Sequence, residues 1–212
     1  MPQPPSIVSA DRPLVLGSAS PRRKEILAAL GVPVRVVPGG ADETWYAGEA
    51  PATYLARVVE SKLADVVGRA GVADAPAIVV ADTVVCLGED VLGKPRDVDE
   101  AAELVGRLVG RDHWVRTRYA IARAPSVGVA AVARTVETRV TMREVGPADV
   151  RAYAETGEGL DKAGAYAVQG IGAFLVERID GSYSNVVGLP ASEVIRDLVA
   201  LEILPRFPLP RS

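Results

Sequence analysis

Leu14-Val15-Leu16-Gly17-Ser18-Ala19-Ser20-Pro21-Arg22-Arg23-Lys24 decides the fold class. A short apolar run ends at Leu16. Ser20-Pro21 then supplies an N-cap residue and a first-turn proline, so a helix is expected to about Leu30, with Gly31 behind it. The segment reads as strand, tight turn and helix. Its charges run the wrong way for an isolated helix. A helix N-terminus carries roughly half a positive charge, so three cations in the first turn are unfavourable unless an anion arrives. Free backbone N–H groups, the hydroxyls of Ser18 and Ser20, and two guanidinium forks would together grip a polyphosphate. The plainer alternative is a basic face turned to solvent.

Outward from that segment, strands and helices alternate. Val34 to Val37 reads as a strand. Pro51 opens a helix whose apolar positions Leu55, Val58, Val59, Leu63, Val66 and Val67 recur at helical spacing, and Gly71 closes the region. Ala77 to Leu87 reads as a buried strand interrupted at Asp82, and Asp97 with Glu100 forms a capping box for a helix to about Val109. Val115 to Ala122 and Val132 to Met142 are strand-like arms around a turn at Pro125 and Gly128, and Pro147 to Thr156 is a short helix stopped by Gly157. Phe174 to Ile179 is a further strand, and Pro190 starts a last helix through Val194, Ile195, Leu198 and Leu201. The expected architecture is α/β, a mixed twisted sheet flanked by helices.

The 212 residues are enough for one domain with a substantial core, expected over 12–204, with Pro-rich tails at 1–11 and 205–212. A formal charge of -3 with interspersed signs argues against a general nucleic-acid binder. No stretch approaches the ~20 apolar residues of a membrane span, and the start lacks the features of a signal peptide. The lone Cys86, inside an apolar run, fits a reducing compartment and a buried bystander thiol. A cytoplasmic protein follows as the expectation. The basic residues are 20 arginines and only four lysines, Lys24, Lys62, Lys94 and Lys162. Lysine in such a chain suits places where a compact ammonium fits and a planar fork does not.

Asp82-Thr83 sets a carboxylate and a hydroxyl at the end of a buried strand run, where open α/β sheets bind ligands. Asp42-Glu43, on a loop after Gly39-Gly40, adds oxygen ligands of the kind that suit Mg2+ bridging phosphates. Gly93-Lys94-Pro95 resembles a phosphate-reaching lysine on a rigid turn, without Walker A spacing around it. Spacing leaves Lys62 either turned inward or snorkelling to water. Asp161 to Gly170 reads as a shaped loop in which Gln169, with donor and acceptor faces, is able to read a base edge. His113 is the only histidine, so a histidine-rich metal site and a Ser/His triad lack support, and it is read as structural.

In this order, Ser-Ala-Ser-Pro-Arg-Arg, Asp-Glu-Thr, Ala-Asp-Thr, Leu-Gly-Lys-Pro, Asp-Lys-Ala-Gly-Ala-Tyr-Ala-Val-Gln-Gly and Ser-Tyr-Ser-Asn-Val-Val-Gly-Leu-Pro resemble the Maf family of nucleotide pyrophosphatases, from about Leu14 to Leu201. The resemblance implies a two-lobed body around an elongated mixed sheet with a central cleft, as in Maf and inosine triphosphatase folds, often as a homodimer. It implies Asp82 as proton acceptor, Ser18, Arg23, Lys62 and Lys94 around the phosphates, and Glu43 near the metal. Lys162 falls in a family motif and joins the substrate-binding set. Arg22, Thr83 and Gln169 match positions linked to base specificity and resemble the dTTP/UTP branch. Gly17 and Arg118 depart from the family's usual Ala and Gly.

The reaction expected from the resemblance is hydrolysis of a nucleoside triphosphate to monophosphate and pyrophosphate. Mg2+, or Mn2+, would bridge phosphate oxygens and carboxylates at Asp82 and Glu43 and share the work with a weakly basic Asp82. No Cys or His-activated Ser suggests a covalent intermediate. Rival readings are an ITP/XTP or 7-methyl-GTP house-cleaning enzyme, and a nucleotide-binding regulator of septum formation. No membrane or stable nucleic-acid partner is expected.

Overall fold

The computed structural model describes residues 8–209 except 47, 70, 73 and 124–127. Its strands are β1 (Leu14–Leu16), β2 (Val34–Val36), β3 (Ala77–Leu87), β4 (Asp90–Leu92), β5 (Asp112–Arg123), β6 (Ala130–Met142) and β7 (Val176–Asp180). The helices are α1 (Pro21–Ala29), α2 (Pro51–Val67), α3 (Val98–Leu108), α4 (Pro147–Glu155), α5 (Tyr183–Val187) and α6 (Ala191–Ala200). One seven-stranded mixed sheet runs β2-β1-β3-β5-β6-β7, with β4 paired to β3. β1 is parallel to β2 and β3, and every other pairing is antiparallel. The α/β mixed sheet expected from the sequence is the architecture observed.

β3 is the axis of the molecule because side chains alternate across a strand. Ala77, Val79 and Ala81 point into a core closed by Leu27 of α1 and Val194, Ile195 and Leu198 of α6. Ile78 and Val80 point the other way, against Val59, Leu63 and Val66 of α2. Further along, Val84 and Cys86 continue under α2 against Tyr54, Leu55 and Val58. Val85 enters a separate core with Leu92, Val105 and Leu108, and with Val150 and Tyr153 of α4. Thus α2 spans one face of the sheet, while α1 with α6 and α3 with α4 cover opposite ends of the other face. These are the two lobes. Truncating a fully buried leucine such as Leu27 would cost about 2–5 kcal/mol.

Several local readings are corrected. Asp82 does not interrupt β3, which pairs with β5 residue by residue from Ala77 to Cys86. Its carboxylate is buried beside a cation, which removes the reason to break the strand. Ser20 occupies the N-cap of α1 without a side-chain capping bond. Asp97 caps α3 by accepting from Glu100 N–H, but the Glu100 carboxylate reaches Arg96 N–H, one residue before a reciprocal capping box. Phe174 lies in a 3-10 turn, Gly170–Leu175, so β7 starts at Val176. The short elements β4 and α5 had no period to betray them. Pro125 lies outside the described residues. Beyond the regular elements, Val8 is buried in the first core, and Phe207 and Leu209 pack against it.

Candidate active site

The site exists because one edge of β3 is open in its middle. β1 pairs at Ile78 and Val79, and β4 at Val85, Cys86 and Leu87, so residues 80–84 have no strand on that side. Asp82 and Thr83 sit in this gap and face opposite sides of the sheet. A cleft of about 760 Å3 opens there, lined by the loop and first turn 17–23, by Glu43, Lys62 and Lys94, and by the segment 161–169. That volume lies within the range of small-molecule sites.

On the α2 side, Lys62 interrupts the apolar stripe Val58, Val59, Leu63 and Val66, and is turned inward with 8% exposure. Its Nζ donates to Asp82 Oδ1 at 2.7 Å and lies 2.9 Å from Glu43 Oε1. Asp82 is 6% exposed, so an ion without that partner would carry a heavy desolvation cost. The second oxygen of each carboxylate has no hydrogen-bond partner among the described residues. Asp42 does not share this role, because its carboxylate accepts from Thr44 N–H and the Tyr46 hydroxyl within the loop. Arg57 of α2 fastens the same loop, donating to both Glu49 oxygens and to the Thr44 carbonyl.

On the α1 side, Arg23 is buried, and each of its three nitrogens makes one hydrogen bond. Its Nε donates to the Gly188 carbonyl at 2.8 Å, Nη1 to Ser18 Oγ at 3.0 Å and Nη2 to Thr83 Oγ1 at 3.1 Å. Burial pulls its pKa below the ordinary value, and the charges of Asp82 and Glu43 oppose that pull. An arginine still remains charged under such a shift. Pro21 has no N–H and Ser20 offers no side-chain acceptor, so the first-turn amides of Arg22 and Arg23 have no intrahelical acceptor. Ser18 through Arg23 all line the cleft, whereas Lys24 is exposed and outside it.

Across the cleft, Arg22 Nη1 donates to Asp161 Oδ2 at 2.9 Å, joining the two lobes at the rim. Burial works against the charged form of Asp161, but hydrogen bonds from Lys162 and Arg22 outweigh it and hold the carboxyl at about 2. Lys162 also donates to the Glu158 carbonyl. Lys94 and Gln169 are exposed in the cleft, and neither side chain has a hydrogen bond or ion pair among the described residues. Thr83 is less free than its motif suggested, because its hydroxyl also shares a hydrogen bond with Thr117 Oγ1 at 2.9 Å.

A family model described as Maf-like protein matches residues 13–201. The chain belongs to the Maf family. Similar relatives include the dTTP/UTP pyrophosphatase of Myxococcus xanthus, 47% identical over 182 residues that cover 86% of this chain and 89% of that protein. The dTTP/UTP pyrophosphatase of Desulfotalea psychrophila is 41% identical over 92% of this chain and 97% of its own. That of Anaeromyxobacter dehalogenans strain 2CP-1 is 43% identical over 93% and 96% respectively.

The two departures from the Maf pattern have structural correlates. A Cβ at Gly17 would lie 2.7 Å from a Val80 methyl and 2.8 Å from a Val66 methyl, so these valines fill the space an alanine would need. Arg118 is the cross-strand partner of Asp82, donates to Thr135 Oγ1 at 3.2 Å and does not line the cleft. Sequence reading missed the Gly188 carbonyl that holds Arg23, for which the only signal is the quoted Val-Val-Gly-Leu-Pro motif. It also missed Trp45 and Tyr54 on the cleft wall, whose rings lie 4.7 Å apart between centroids and are tilted by 39°. His113 and Cys86 are buried, as their structural reading requires, and burial pushes the Cys86 thiol up. Among the described residues, no helix is long and apolar enough to cross a membrane.

Proposed function

We propose that this chain is a nucleoside triphosphate pyrophosphatase that hydrolyses dTTP and UTP to the monophosphate and pyrophosphate. One observation carries the reading. In a single cleft, an uncapped helix N-terminus and the cations of Arg23, Lys62 and Lys94 surround a pair of carboxylates, Asp82 and Glu43. Polyphosphate is the ligand that satisfies such an excess of donors. The names of the relatives supply the base and the bond.

Asp82 accepts the proton of the attacking water, and Lys62 beside it donates to Oδ1 of the same carboxylate. The free amides of α1 and the Lys94 ammonium take the charge that develops on the departing pyrophosphate. Arg23 adds its fixed charge from the cleft wall, where Ser18 and Thr83 orient it. Arg22, Thr83 and Gln169 select the base, with Gln169 offering an amide to the pyrimidine edge and Thr83 acting through Arg23. Lys162 braces the 158–161 turn and completes the substrate-binding set.

Asp82 and Glu43 would hold a divalent cation, Mg2+ or Mn2+. The described residues contain no group of three or more His, Cys, Asp or Glu side chains fit to hold a metal ion. Two carboxylates with one unpartnered oxygen each suit Mg2+, which leaves its other positions to phosphate and water. When bound, such an ion supplies charge on the phosphate oxygens and lowers the pKa of a water. We assign the activity to residues 12–204. The cytoplasm as compartment fits the single buried thiol of Cys86, and the homodimer rests on the resemblance.

Chromatography of products from dTTP with Mg2+ tests the reaction. Monophosphate and pyrophosphate are expected, and orthophosphate as the primary product would overturn it. A panel with 7-methyl-GTP, ITP and XTP tests the base, since preference for any of these would refute the pyrimidine assignment.

A further inference from the structure

Gln169 is exposed in the cleft and its side chain has no hydrogen bond among the described residues, so its place is set by its backbone. That backbone is tied on both sides to one carboxylate. Upstream, Ala167 N–H donates to the Tyr153 hydroxyl at 3.0 Å, and this hydroxyl donates to Glu158 Oε2 at 3.0 Å. Downstream, Ile171 N–H donates to Glu158 Oε1 at 2.9 Å and Gly172 N–H to Oε2 at 2.7 Å.

The glycines of the loop exist for this arrangement. Gly170 has φ +68, and a Cβ on it would stand 2.1 Å from Glu158 Oε1. At Gly172 a Cβ would stand 2.3 Å from the Ala167 carbonyl and 2.6 Å from the Tyr153 hydroxyl. Tyr153 is 2% exposed, and burial, with Glu158 adding to it, pushes its hydroxyl above the ordinary value, so it stays a donor. Neither Glu158 nor Tyr153 lines the cleft.

We infer that Glu158 is a positioning residue for base selection, whose carboxylate fixes the 167–172 loop so that Gln169 presents its amide at one place in the cleft. The inference rests on Gln169 as the base reader. Three donors converge on Glu158, and an ionised carboxylate is the side chain that only accepts. An amide there would keep one acceptor oxygen and set its NH2 against a donor.

The test is Glu158→Gln, assayed for kcat and KM with dTTP, dCTP and 7-methyl-GTP, with inorganic tripolyphosphate as a base-free competitive inhibitor. The preference for dTTP should fall about tenfold, through KM for dTTP. Tripolyphosphate inhibition should stay within about twofold, because the phosphate side is untouched. A merely structural role would instead weaken tripolyphosphate binding and kcat along with the preference, and that outcome overturns the inference. Tyr153→Phe keeps the ring in the core and removes only the relay to Ala167, so it gives a smaller loss of the same kind and answers the question should Glu158→Gln fail to fold.

Gln169→Ala separates the two readings. If it leaves the dTTP preference intact, Gln169 is not the reader and the inference falls with that assignment. If it abolishes the preference while Glu158→Gln and Tyr153→Phe keep it, the positioning role alone is overturned. In the double variant Glu158→Gln/Gln169→Ala, the preference should equal that of Gln169→Ala, and a further multiplicative loss would count against Glu158 acting through Gln169.

Discussion

Lowering the pH from 7.5 to 5.0 should weaken this fold through a single side chain, His113. The chain has one histidine, so no other imidazole titrates in that window. His113 is fully buried, and its Nε2 shares a hydrogen bond with the Tyr166 hydroxyl at 2.8 Å while Nδ1 has no hydrogen-bond partner among the described residues. Burial drives its pKa from 6.5 down to about 4, with Asp112 opposing only in part. Above pH 6.5 the ring is neutral folded and unfolded, and the full stability is present. As pH falls further, the unfolded chain takes up a proton that the folded chain refuses, so stability drops until the folded ring titrates near 4. The gap corresponds to about 3 kcal/mol in all, of which about 2 kcal/mol is lost by pH 5. That is a large part of the roughly 5–15 kcal/mol typical of a domain. Urea unfolding of the wild type and of His113→Gln at both pH values measures it. The wild type should lose about 2 kcal/mol more than the variant, since an amide does not titrate. Parallel losses in the two proteins would refute the reasoning. Tyr166 lines the cleft, so the same protonation reaches the site wall, because an imidazolium can only donate in the His113–Tyr166 hydrogen bond.

Asp82→Asn removes the proton acceptor and a charge but keeps the shape, so turnover of dTTP should fall about a hundredfold or more while the protein still folds, Glu43 remaining as the partner of Lys62. Near-normal turnover would remove Asp82 from the mechanism. Lys94→Ala should lower kcat/KM with stability changed by less than about 0.5 kcal/mol, because the exposed ammonium has no hydrogen bond or ion pair to lose among the described residues. Arg23→Ala should lower kcat/KM and also destabilise by about 1–3 kcal/mol, since it leaves the buried Gly188 carbonyl with only the long bond from the Thr83 hydroxyl at 3.4 Å. Equal melting temperatures for these two variants would contradict the geometry. Lys62→Met alone should cost about 3–5 kcal/mol by stranding the Asp82 carboxylate, whereas Lys62→Met with Asp82→Leu should recover most of it in an inactive protein. Urea titrations that rank the double variant below the single one would show that the pair does not hold the fold.

Much of the fold is legible where a period or a stop residue exists. The stripe of α2 and the proline and glycine around α1 mark those elements within a residue or two, because burial on one face leaves a period. β4 and α5 have too few residues to show one. In the site, Arg23 and Ser18 were legible from electrostatics that made sense only with an anion. Gly188 and Glu158 were not, because their roles are a bond to a backbone carbonyl 165 positions away and bonds to backbone amides, which leave no local pattern.

Asp82 and Lys62 show how two anomalies explain one another. A carboxylate inside an apolar strand reads as a break, and a lysine in an apolar helical stripe reads as a side chain either turned inward or reaching for water. The packing of α2 across the even-numbered residues of β3 puts the two in register, 2.7 Å apart. Each then satisfies the other, so the strand need not break and the lysine need not snorkel. β1 ends before Asp82 and β4 begins after it, so this buried pair faces a gap in the sheet edge and meets the cleft. With both flanking strands continuous, the same two residues would form a sealed structural ion pair. It is the missing strand partner at residues 80–84 that turns the pair into a site.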